Sequence, residues 1–434
     1  MKLFQQMLVA TAALGLVAPI AAQASDVLNL DGMNDYSRSK KSAKRIDSKT
    51  FVTEVNEEIA NLKGRIDGLE AQQNNFEAGS FSDTTTLDGK AVFYMGAVDG
   101  ATKVDPTDTE SLQTGYTYTM NLNTSFTGDD NLYVRLRTGA SGAIWGAKTT
   151  SYHLDRYSGT TDALAVDKIW YTFPLGVEGW TATVAPKIEN YYMLAATPSI
   201  YKPGVLKAFK LGGHSAVNGA STDGGAGVKY VNDNGFAFAS NFVSKGSKTT
   251  AGIFTKEAKG KWDTQVAYTK PSYHVSLTYS DQQNGWNSYS YYATSDAATK
   301  AATADSTAYM LRAYWRPENA GTATPEISAG YDVLDITGNG DNVKEADSYF
   351  VGLGWSDMFA ADDKIGLAFG QPLKATKYGA SGSTDVDPFL WEAYYSYQVN
   401  DSVTVQPAVF GGSDVRSDTE DDIFGVALTT YFKF

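Results

Sequence analysis

The sequence contains no cysteine and only three histidines among its 434 residues. It therefore cannot form disulfides or thiolate metal sites, and its stability must come from packing and backbone hydrogen bonds. We expect neither a cofactor nor a metal site. The formal net charge of −13 argues against nucleic-acid binding, which needs a basic surface.

Long apolar runs are missing as well. One short run, MLVATAALGLVAPI, follows Lys2 and leads into AQAS, which has the small-x-small pattern of a secretory cleavage site. This pattern predicts a signal peptide over residues 1–24. No other segment approaches the roughly 18 apolar residues of a transmembrane helix, so a helical membrane protein is excluded.

Residues 51–77 are the one strongly helical segment, and their apolar residues follow a heptad repeat. The core positions are Val52, Val55, Ile59, Leu62, Ile66, Leu69 and Phe76. The pattern predicts a short coiled coil, although an amphipathic helix packed on its own domain is the alternative. A basic linker over residues 25–50 precedes it, in which RSKKSAKR (38–45) is either solvated or contacts an anionic polymer of the cell envelope.

From residue 81 onward, apolar and polar residues alternate with the period of a β-strand. In the run 112–126, Tyr116, Tyr118 and Met120 share one face, and Thr117 and Thr119 share the other. We count sixteen such segments over residues 81–434. Each strand with its connection then takes about 22 residues, which leaves room for a tilted strand that crosses a membrane.

The connections between these segments alternate between long and short. TGDDN, LGVEG and NDNG are short, whereas 99–110 and 188–225 are long. This asymmetry is typical of an outer-membrane barrel with short periplasmic turns. Aromatic residues at strand ends, such as Trp170 and Trp180, fit an interfacial girdle. We therefore predict an all-β fold: a 16-stranded antiparallel transmembrane β-barrel, preceded by a periplasmic coiled-coil helix. A soluble sandwich or propeller shares the alternation but does not need the loop asymmetry.

The alternation also assigns side chains to the lipid and to the lumen. The chain ends in FGVALTTYFKF, whose apolar face should contact lipid; this face comprises Phe424, Val426, Leu428, Phe432 and Phe434. A charge that faces lipid at mid-depth costs about 2–4 kcal/mol, so charged residues on strands should face water. The predicted pore-lining residues are Arg135, Arg137, Lys168, Arg312 and Glu392.

Two enzyme or ligand motifs are weak. His274 and Ser276 share one strand face, but Val275 and Leu277 claim the lipid face, where membrane phospholipases place such a pair. DITGNGDNVKEA begins like a calcium loop at Asp335 but lacks the closing glutamate. We therefore expect no enzymatic activity.

Four stretches resemble the cyanobacterial outer-membrane porins, which are similar to the carbohydrate-selective porin family. They are FSDTTTLDGKAVF (81–93), DKIWYTFPLG (167–176), DKIGLAFGQP (363–372) and WEAYYSYQVNDSVTVQPAVF (391–410). The resemblance implies a homotrimer in the outer membrane, in contact with lipid and lipopolysaccharide. The heptad core pattern of residues 51–77, taken alone, would suit a dimer. Members commonly carry a surface-layer homology domain before the coiled coil, and residues 25–50 are too short to hold one.

The resemblance also implies functional sites. In general porins the third outer loop narrows the barrel, which here gives the constriction candidates Lys187, Glu189, Lys202, Lys207, Lys210 and Asp223. Cationic side chains outnumber acidic ones among these candidates, and such an excess favours the passage of anions through a pore. The C-terminal strand ending in Phe434 resembles the signal that the barrel-assembly machinery reads during insertion.

The expected function is passive diffusion of small hydrophilic solutes, most simply inorganic ions. A carbohydrate-selective channel is the first alternative, and aromatic side chains at the constriction (Tyr191, Tyr192, Tyr201) would favour it. A structural protein that links the membrane to the cell wall through residues 38–77 is the second.

Overall fold

The computed structural model describes residues 63, 80–82, 84–100, 110–140, 154–155, 162–213, 223–246, 249–286, 304–318, 324–337, 343–378, 387–415 and 422–434. The strands all belong to one unit, Gln72–Phe434. The predicted signal peptide, basic linker and coiled coil lie outside the described residues. Within the described part of the chain, no helix is both long and apolar enough to cross a membrane.

Seventeen strands make up the sheet. They are β1 (Ser80–Ser82), β2 (Thr85–Asp99), β3 (Gln113–Thr124), β4 (Asn131–Ala140), β5 (Ala165–Pro174), β6 (Trp180–Ile188), β7 (Asp223–Val231), β8 (Phe236–Ser244), β9 (Gly260–Lys270), β10 (Tyr273–Gln282), β11 (Asp305–Trp315), β12 (Glu326–Thr337), β13 (Val343–Ser356), β14 (Lys364–Tyr378), β15 (Phe389–Asn400), β16 (Val403–Ser413) and β17 (Ile423–Lys433). Two 3₁₀ helices, Asn190–Met193 and Lys207–Gly212, lie between β6 and β7.

The sheet closes into a barrel of sixteen strands. Each strand from β2 to β17 pairs antiparallel with the next one in sequence, and β17 returns to pair with β2, where Thr430 lies opposite Phe93. The short β1 is a separate addition that pairs with β2. Closure leaves no free strand edge in the barrel, which satisfies the backbone hydrogen bonds that lipid cannot. The predicted sixteen-stranded antiparallel barrel is confirmed.

Alternating side chains give the barrel an apolar outer face. On β9 to β11 the outward residues Val266, Leu277 and Leu311 are between 46% and 50% exposed, so about half of each apolar side chain is open to the surroundings of the barrel. Their inward neighbours Gln265 and Ser276 are buried. The outer face is therefore a band suited to lipid, as the alternation predicts.

The C-terminal strand completes this band. Phe424, Leu428 and Phe432 share one face of β17 and lie opposite the outward residues of β2. Val426 has the same parity and is buried. The last residue, Phe434, exchanges backbone hydrogen bonds of 2.8 and 3.1 Å with Gly89, so the chain is paired to its end.

The long–short alternation of connections has one exception. The connection between β12 and β13 is only residues 338–342, whereas the one between β11 and β12, at the opposite rim, spans 316–325. The segment that begins like a calcium loop at Asp335 therefore comprises the end of β12, the connection 338–342 and the start of β13. Below, the rim that carries turns 125–130, 175–179 and 357–363 is called the short-turn rim.

Candidate functional site: the constriction inside the barrel

Residues 189–213, here called the inner loop, leave β6 and fold against the inside of the barrel wall. Asn190 donates to the Asp263 carboxylate on β9. The backbone N–H groups of Ala195 and Ala196 both donate to Gln265 Oε1 at 3.0 Å. Because Asp263 and Gln265 face inward, these bonds place the loop in the lumen.

Glu392 of β15 holds the middle of the inner loop. Its carboxylate accepts a hydrogen bond from the Tyr201 hydroxyl at 2.8 Å and from the N–H groups of Gly204, Val205 and Leu206 at 2.8, 2.9 and 2.7 Å. All four partners are donors, which is the set that an ionised carboxylate binds best. Glu392 is fully buried, so it anchors the loop and does not reach open water.

Arg312 of β11 holds the end of the inner loop. Its guanidinium makes a two-pronged ion pair with Asp332 of β12, at 2.6 and 2.9 Å. Its Nε donates to the carbonyl of Leu211 at 3.0 Å. The chain turns here through Gly212, whose φ of +78° favours glycine. The Gly212 carbonyl lies so close to Gly330 of β12 that a Cβ at position 330 would collide with it.

An apolar core seals the inner loop to the wall. Val205, Leu206 and Phe209 of the loop pack with inward residues such as Phe350 and Phe410. Burial of each large apolar side chain stabilises this arrangement by about 1.5–3 kcal/mol. The inner loop is therefore a fixed part of the barrel interior.

An aromatic track lies on the other side of the inner loop. It consists of Tyr133 of β4, Trp170 of β5, and Tyr192 and Tyr191 of the loop, with successive ring centroids 4.1, 4.9 and 4.5 Å apart. The ring planes differ by only 23–34°. Tyr192 is 36% exposed, so part of the track is open. At these separations each ring covers part of the face of the next, so the track borders the lumen with ring edges and with the exposed part of Tyr192.

Trp170 corrects an expectation of the sequence analysis. The pattern assigns it to the interfacial girdle, but Trp170 lies opposite Tyr133 and faces the lumen. Its neighbours Ile169 and Tyr171 take the outward face of β5. Trp170 is two residues from Lys168 on the same strand, so the alternation that places Lys168 inward places Trp170 inward as well.

Charged side chains flank the aromatic track. The Arg135 guanidinium is paired with Asp167 and donates to the Tyr192 hydroxyl at 3.0 Å. Lys168 Nζ lies 2.7 Å from Glu189 Oε2, which also accepts from the Tyr191 hydroxyl at 2.5 Å. The ion pairs and the track thus fix each other's geometry.

Two shifted pKa values follow from this crowding. Burial alone would raise the pKa of the Glu189 carboxyl, but Lys168, the hydrogen bond from Tyr191 and the charge of Lys210 together outweigh it and hold the pKa below its usual value. Burial and the charge of Lys210 lower the pKa of Lys207. Glu189 therefore stays ionised at neutral pH and keeps a negative charge beside the track.

A polar network continues from the track along β2 to β4. The Tyr133 hydroxyl donates to Asn121 Oδ1 at 2.7 Å, and Asn121 and Asn123 both donate to the Asp88 carboxylate, at 2.6 and 3.2 Å. Asp88, Asn121 and Asn123 are not among the predicted site residues. The sequence feature that could have identified them is their position on the polar, inward side of alternating strands.

The predicted site residues fall into three groups. Arg135, Arg137, Lys168, Glu189, Lys207 and Lys210 come together around the track and the adjoining loop. Arg312 and Glu392 face inward as predicted but are fully buried behind the inner loop. Lys187, Lys202 and Asp223 lie apart: Lys187 donates to the Val166 carbonyl, Lys202 is exposed, and Asp223 begins β7.

His274 and Ser276 also face inward. His274 Nε2 and Ser276 Oγ are 2.9 Å apart, and the imidazole stacks on Tyr314 with ring centroids 4.7 Å apart. Both side chains are buried, so the pair is part of the wall. In the described part of the chain, no cluster of acidic and histidine side chains could hold a metal ion.

A closed sixteen-stranded barrel with an apolar outer band and a loop folded into its lumen defines a porin of the outer membrane. The profile of the family "Carbohydrate-selective porin, OprB family" matches residues 44–410. The chain belongs to this family.

Two proteins of other organisms are similar to this chain in sequence. An uncharacterized protein of Nostoc sp. is 24% identical over 425 residues, which cover 87% of this chain and 70% of that protein. An uncharacterized protein of Synechocystis sp. is 23% identical over 403 residues, covering 83% and 70%. Both organisms are cyanobacteria, consistent with the resemblance noted above.

The fold resembles two solved porins. OprB of Pseudomonas putida, in its high-pH structure, matches with a TM-score of 0.57 and 10% identity, covering 84% of this chain and 96% of that one. An anion-selective porin from Comamonas acidovorans matches with a TM-score of 0.54 and 11% identity, covering 81% and 99%. At these identities the likeness concerns the fold alone.

Proposed function

We propose that this chain is a passive porin for small carbohydrates. The observation that carries the proposal is the aromatic track beside the inner loop, whose four rings follow one another at 4.1–4.9 Å. A sugar ring can pack its apolar face against the exposed part of Tyr192 and the ring edges beside it, while its hydroxyls bond to neighbouring charged groups. The family also favours this alternative over inorganic ions, which the sequence analysis placed first.

The flanking charges have a defined role in this proposal. Arg135, which contacts Tyr192, supplies a donor, and Glu189, which contacts Tyr191, supplies an acceptor, so a passing sugar can exchange hydrogen bonds with both. Asp167 and Lys168 hold these two groups in place. Binding is weak and the site is open, so the solute moves down its concentration gradient without energy coupling.

Trp170→Ala should weaken sugar binding by about tenfold, because it removes one of the two inner rings of the track, the one that holds Tyr192 in place, and an aromatic contact plus its buried area is worth about 1–2 kcal/mol. The test measures swelling of proteoliposomes in glucose and in sorbitol, a polyol of similar size without a ring. The wild type should admit glucose faster than sorbitol, and Trp170→Ala should remove that difference.

Trp262→Ala is the matched control, because Trp262 is on the outer face and 46% exposed. It should leave the glucose-to-sorbitol ratio unchanged. Equal rates for glucose and sorbitol in the wild type would refute the carbohydrate proposal and leave a general diffusion pore.

Inorganic anions are the second candidate solute. Among the described residues around the track and the adjoining loop, five cationic side chains accompany four acidic ones: Arg135, Arg137, Lys168, Lys207 and Lys210 with Asp88, Asp155, Asp167 and Glu189. Such an excess biases a pore toward anions. The double variant Arg135→Ala/Arg137→Ala should shift the reversal potential toward cations in a planar bilayer under a salt gradient. An unchanged reversal potential would show that these arginines do not set ion selectivity.

We also propose how the whole chain is arranged. Residues 1–24 are a signal peptide, residues 25–50 a periplasmic linker whose segment 38–45 contacts the cell wall, residues 51–77 a coiled coil and residues 81–434 the barrel. The heptad repeat and the basic cluster support this arrangement.

Three chains would meet at the coiled coil, so the mass of the purified complex in detergent tests the trimer. Binding to isolated cell-wall sacculi tests the linker.

The C-terminal phenylalanine is proposed as the insertion signal. Phe434 is 53% exposed and its ring stacks on Tyr118 of β3 with centroids 5.6 Å apart. It thus lies at the seam where β17 joins β2, next to the position where the barrel-assembly machinery would engage the last strand. Comparing assembly of the full chain with one that lacks Phe434 tests this role.

A further inference from the structure

Two turns at the short-turn rim share one unusual construction. In the turn 125–130, Asp130 accepts hydrogen bonds from the backbone N–H groups of Phe126 and Thr127 at 2.9 and 2.8 Å, and from Ser125 Oγ at 2.8 Å. Its other oxygen accepts the hydroxyl of Tyr171, which lies on β5, at 2.6 Å. The carboxylate therefore ties the turn to the next hairpin.

The turn 357–363 repeats this arrangement. Asp363 accepts hydrogen bonds from the N–H groups of Met358, Phe359 and Ala360 at 2.8, 2.9 and 3.0 Å. It also accepts the hydroxyl of Tyr395, on β15, at 3.0 Å. In both turns the tyrosine lies on the strand after the hairpin's second strand, so the two sites are equivalent in topology.

Each turn also carries the same aromatic triad. The Phe126 ring packs on Tyr171, which stacks on Phe173, with centroids 6.3 and 5.4 Å apart. The Phe359 ring packs on Tyr395, which stacks on Tyr397, at 5.9 and 6.5 Å. We call these two units the clamped turns.

The shifted acidities agree with a permanent clamp. The hydrogen bond from Tyr171 lowers the pKa of the Asp130 carboxyl below its usual value. Burial tends to raise the pKa of Asp363, but the three N–H donors and Tyr395 outweigh it, and the pKa lies below its usual value. Both carboxyls are therefore ionised at neutral pH and hold their turns.

The clamps present two phenylalanines that pack on little else. Phe126 is 65% exposed and Phe359 is 78% exposed. The tips of turns are usually polar, and a large apolar side chain held outward there needs a partner. Tyr171 and Tyr395 lie on the outward faces of their strands, opposite Leu132 and Ile365, so each triad continues the lipid-facing band beyond the strand ends.

We propose that the clamped turns are membrane anchors: Phe126 and Phe359 insert among the lipid headgroups and upper acyl chains of the leaflet at the short-turn rim. The clamps keep each ring outward at a fixed height, and the aspartate remains solvated by its own four donors. The triads lie on well-separated hairpins, β3–β4 and β13–β14, so together they fix the depth and tilt of the barrel in the bilayer.

The test uses the absence of cysteine from the chain, which makes every introduced cysteine unique. Phe126→Cys and Phe359→Cys are spin-labelled in the full chain and reconstituted into phosphatidylcholine vesicles. Collisions of each label with oxygen, which enters the bilayer, are compared with collisions with a water-soluble nickel complex. Asp129→Cys and Ala361→Cys are the controls, because these neighbours in the same turns are also exposed.

At 126 and 359 the oxygen-to-nickel collision ratio should be several times that at 129 and 361, since interfacial aromatic positions lie within the bilayer boundary. Tyr171→Phe removes only the clamping hydroxyl and should lower the ratio at 126 toward the value at 129. Equal ratios at all four positions would place the turns in water and overturn the proposal. A ratio at 126 unaffected by Tyr171→Phe would overturn the role of the clamp. Protection of 126 and 359 from both reagents would indicate a protein partner instead of lipid and would also overturn it.

Discussion

Glu392→Gln should release the inner loop and widen the channel. The glutamine amide keeps one acceptor oxygen but turns an N–H₂ group toward the N–H groups of Val205 and Leu206, which then have no acceptor. Losing hydrogen bonds to a buried charge costs about 3 kcal/mol, or about a hundredfold in the equilibrium between docked and undocked loop. Single-channel recording in a planar bilayer should show a larger and noisier conductance than that of the wild type.

Glu345→Gln controls for the loss of a negative charge. Glu345 pairs with Lys377 at 2.7 Å, but the two side chains are 46% and 61% exposed. Such a pair contributes at most about 1 kcal/mol, so conductance should not change. If Glu392→Gln also left conductance and noise at wild-type values, the loop would be held by its apolar core and not by the carboxylate.

Gly330→Ala should disturb the loop at a second place. The added methyl group would collide with the Gly212 carbonyl. The Arg312 side chain lies beside both Gly212 and Gly330, so it leaves little room for the methyl group. The loop must move away or the strand must distort, which costs about 1–3 kcal/mol or more. We expect a lower unfolding temperature of the barrel, read from its heat-modifiable migration in gels, together with an increased conductance.

Gly354→Ala is a closely matched control. Gly354 lies on β13, next to β12, and the nearest atom to its added Cβ is a Glu326 carboxylate oxygen at 4.0 Å. Alanine there should be neutral or slightly stabilising, because it reduces the freedom of the unfolded chain. Identical behaviour of the two variants would mean that the close approach at Gly330 does not matter for the loop.

The outer face of the barrel could be predicted from the sequence because lipid imposes a single rule on it. Every second residue of a strand must be apolar, and this fixes the orientation of runs such as Tyr273 to Tyr279. The same parity places Arg135 and Arg312 inward without any knowledge of the register between strands.

The inner face could not be predicted in the same way. The alternation suggests a polar lumen, yet Phe350 and Phe410 face inward and are buried, because the inner loop brings apolar residues of its own to cover them. That pairing depends on contacts between segments far apart in sequence. The alternation places Arg312, Glu392 and Arg135 alike on the inward face of their strands. The path of the inner loop makes Arg312 and Glu392 its anchors, whereas Arg135 borders the track.

The clamped turns illustrate a third kind of limit. In the sequence, TGDDN is recognisable as a turn, and Asp130 as one of its ordinary acidic residues. The partner hydroxyl of Tyr171 lies 41 residues away and on another strand. A local pattern identifies the turn, but not the residue that fixes it.

The anchoring of the inner loop by Glu392 also constrains the order in which the protein can fold. Gly204 and Glu392 are 188 residues apart in the chain. The strands up to β15 must be in place before this contact can form, and the closure of such long loops slows folding. The barrel wall can grow hairpin by hairpin from local contacts, but the narrow passage cannot exist until β15 arrives. A partly assembled barrel would therefore carry an undocked inner loop, and the passage narrows only once the final strands are in place.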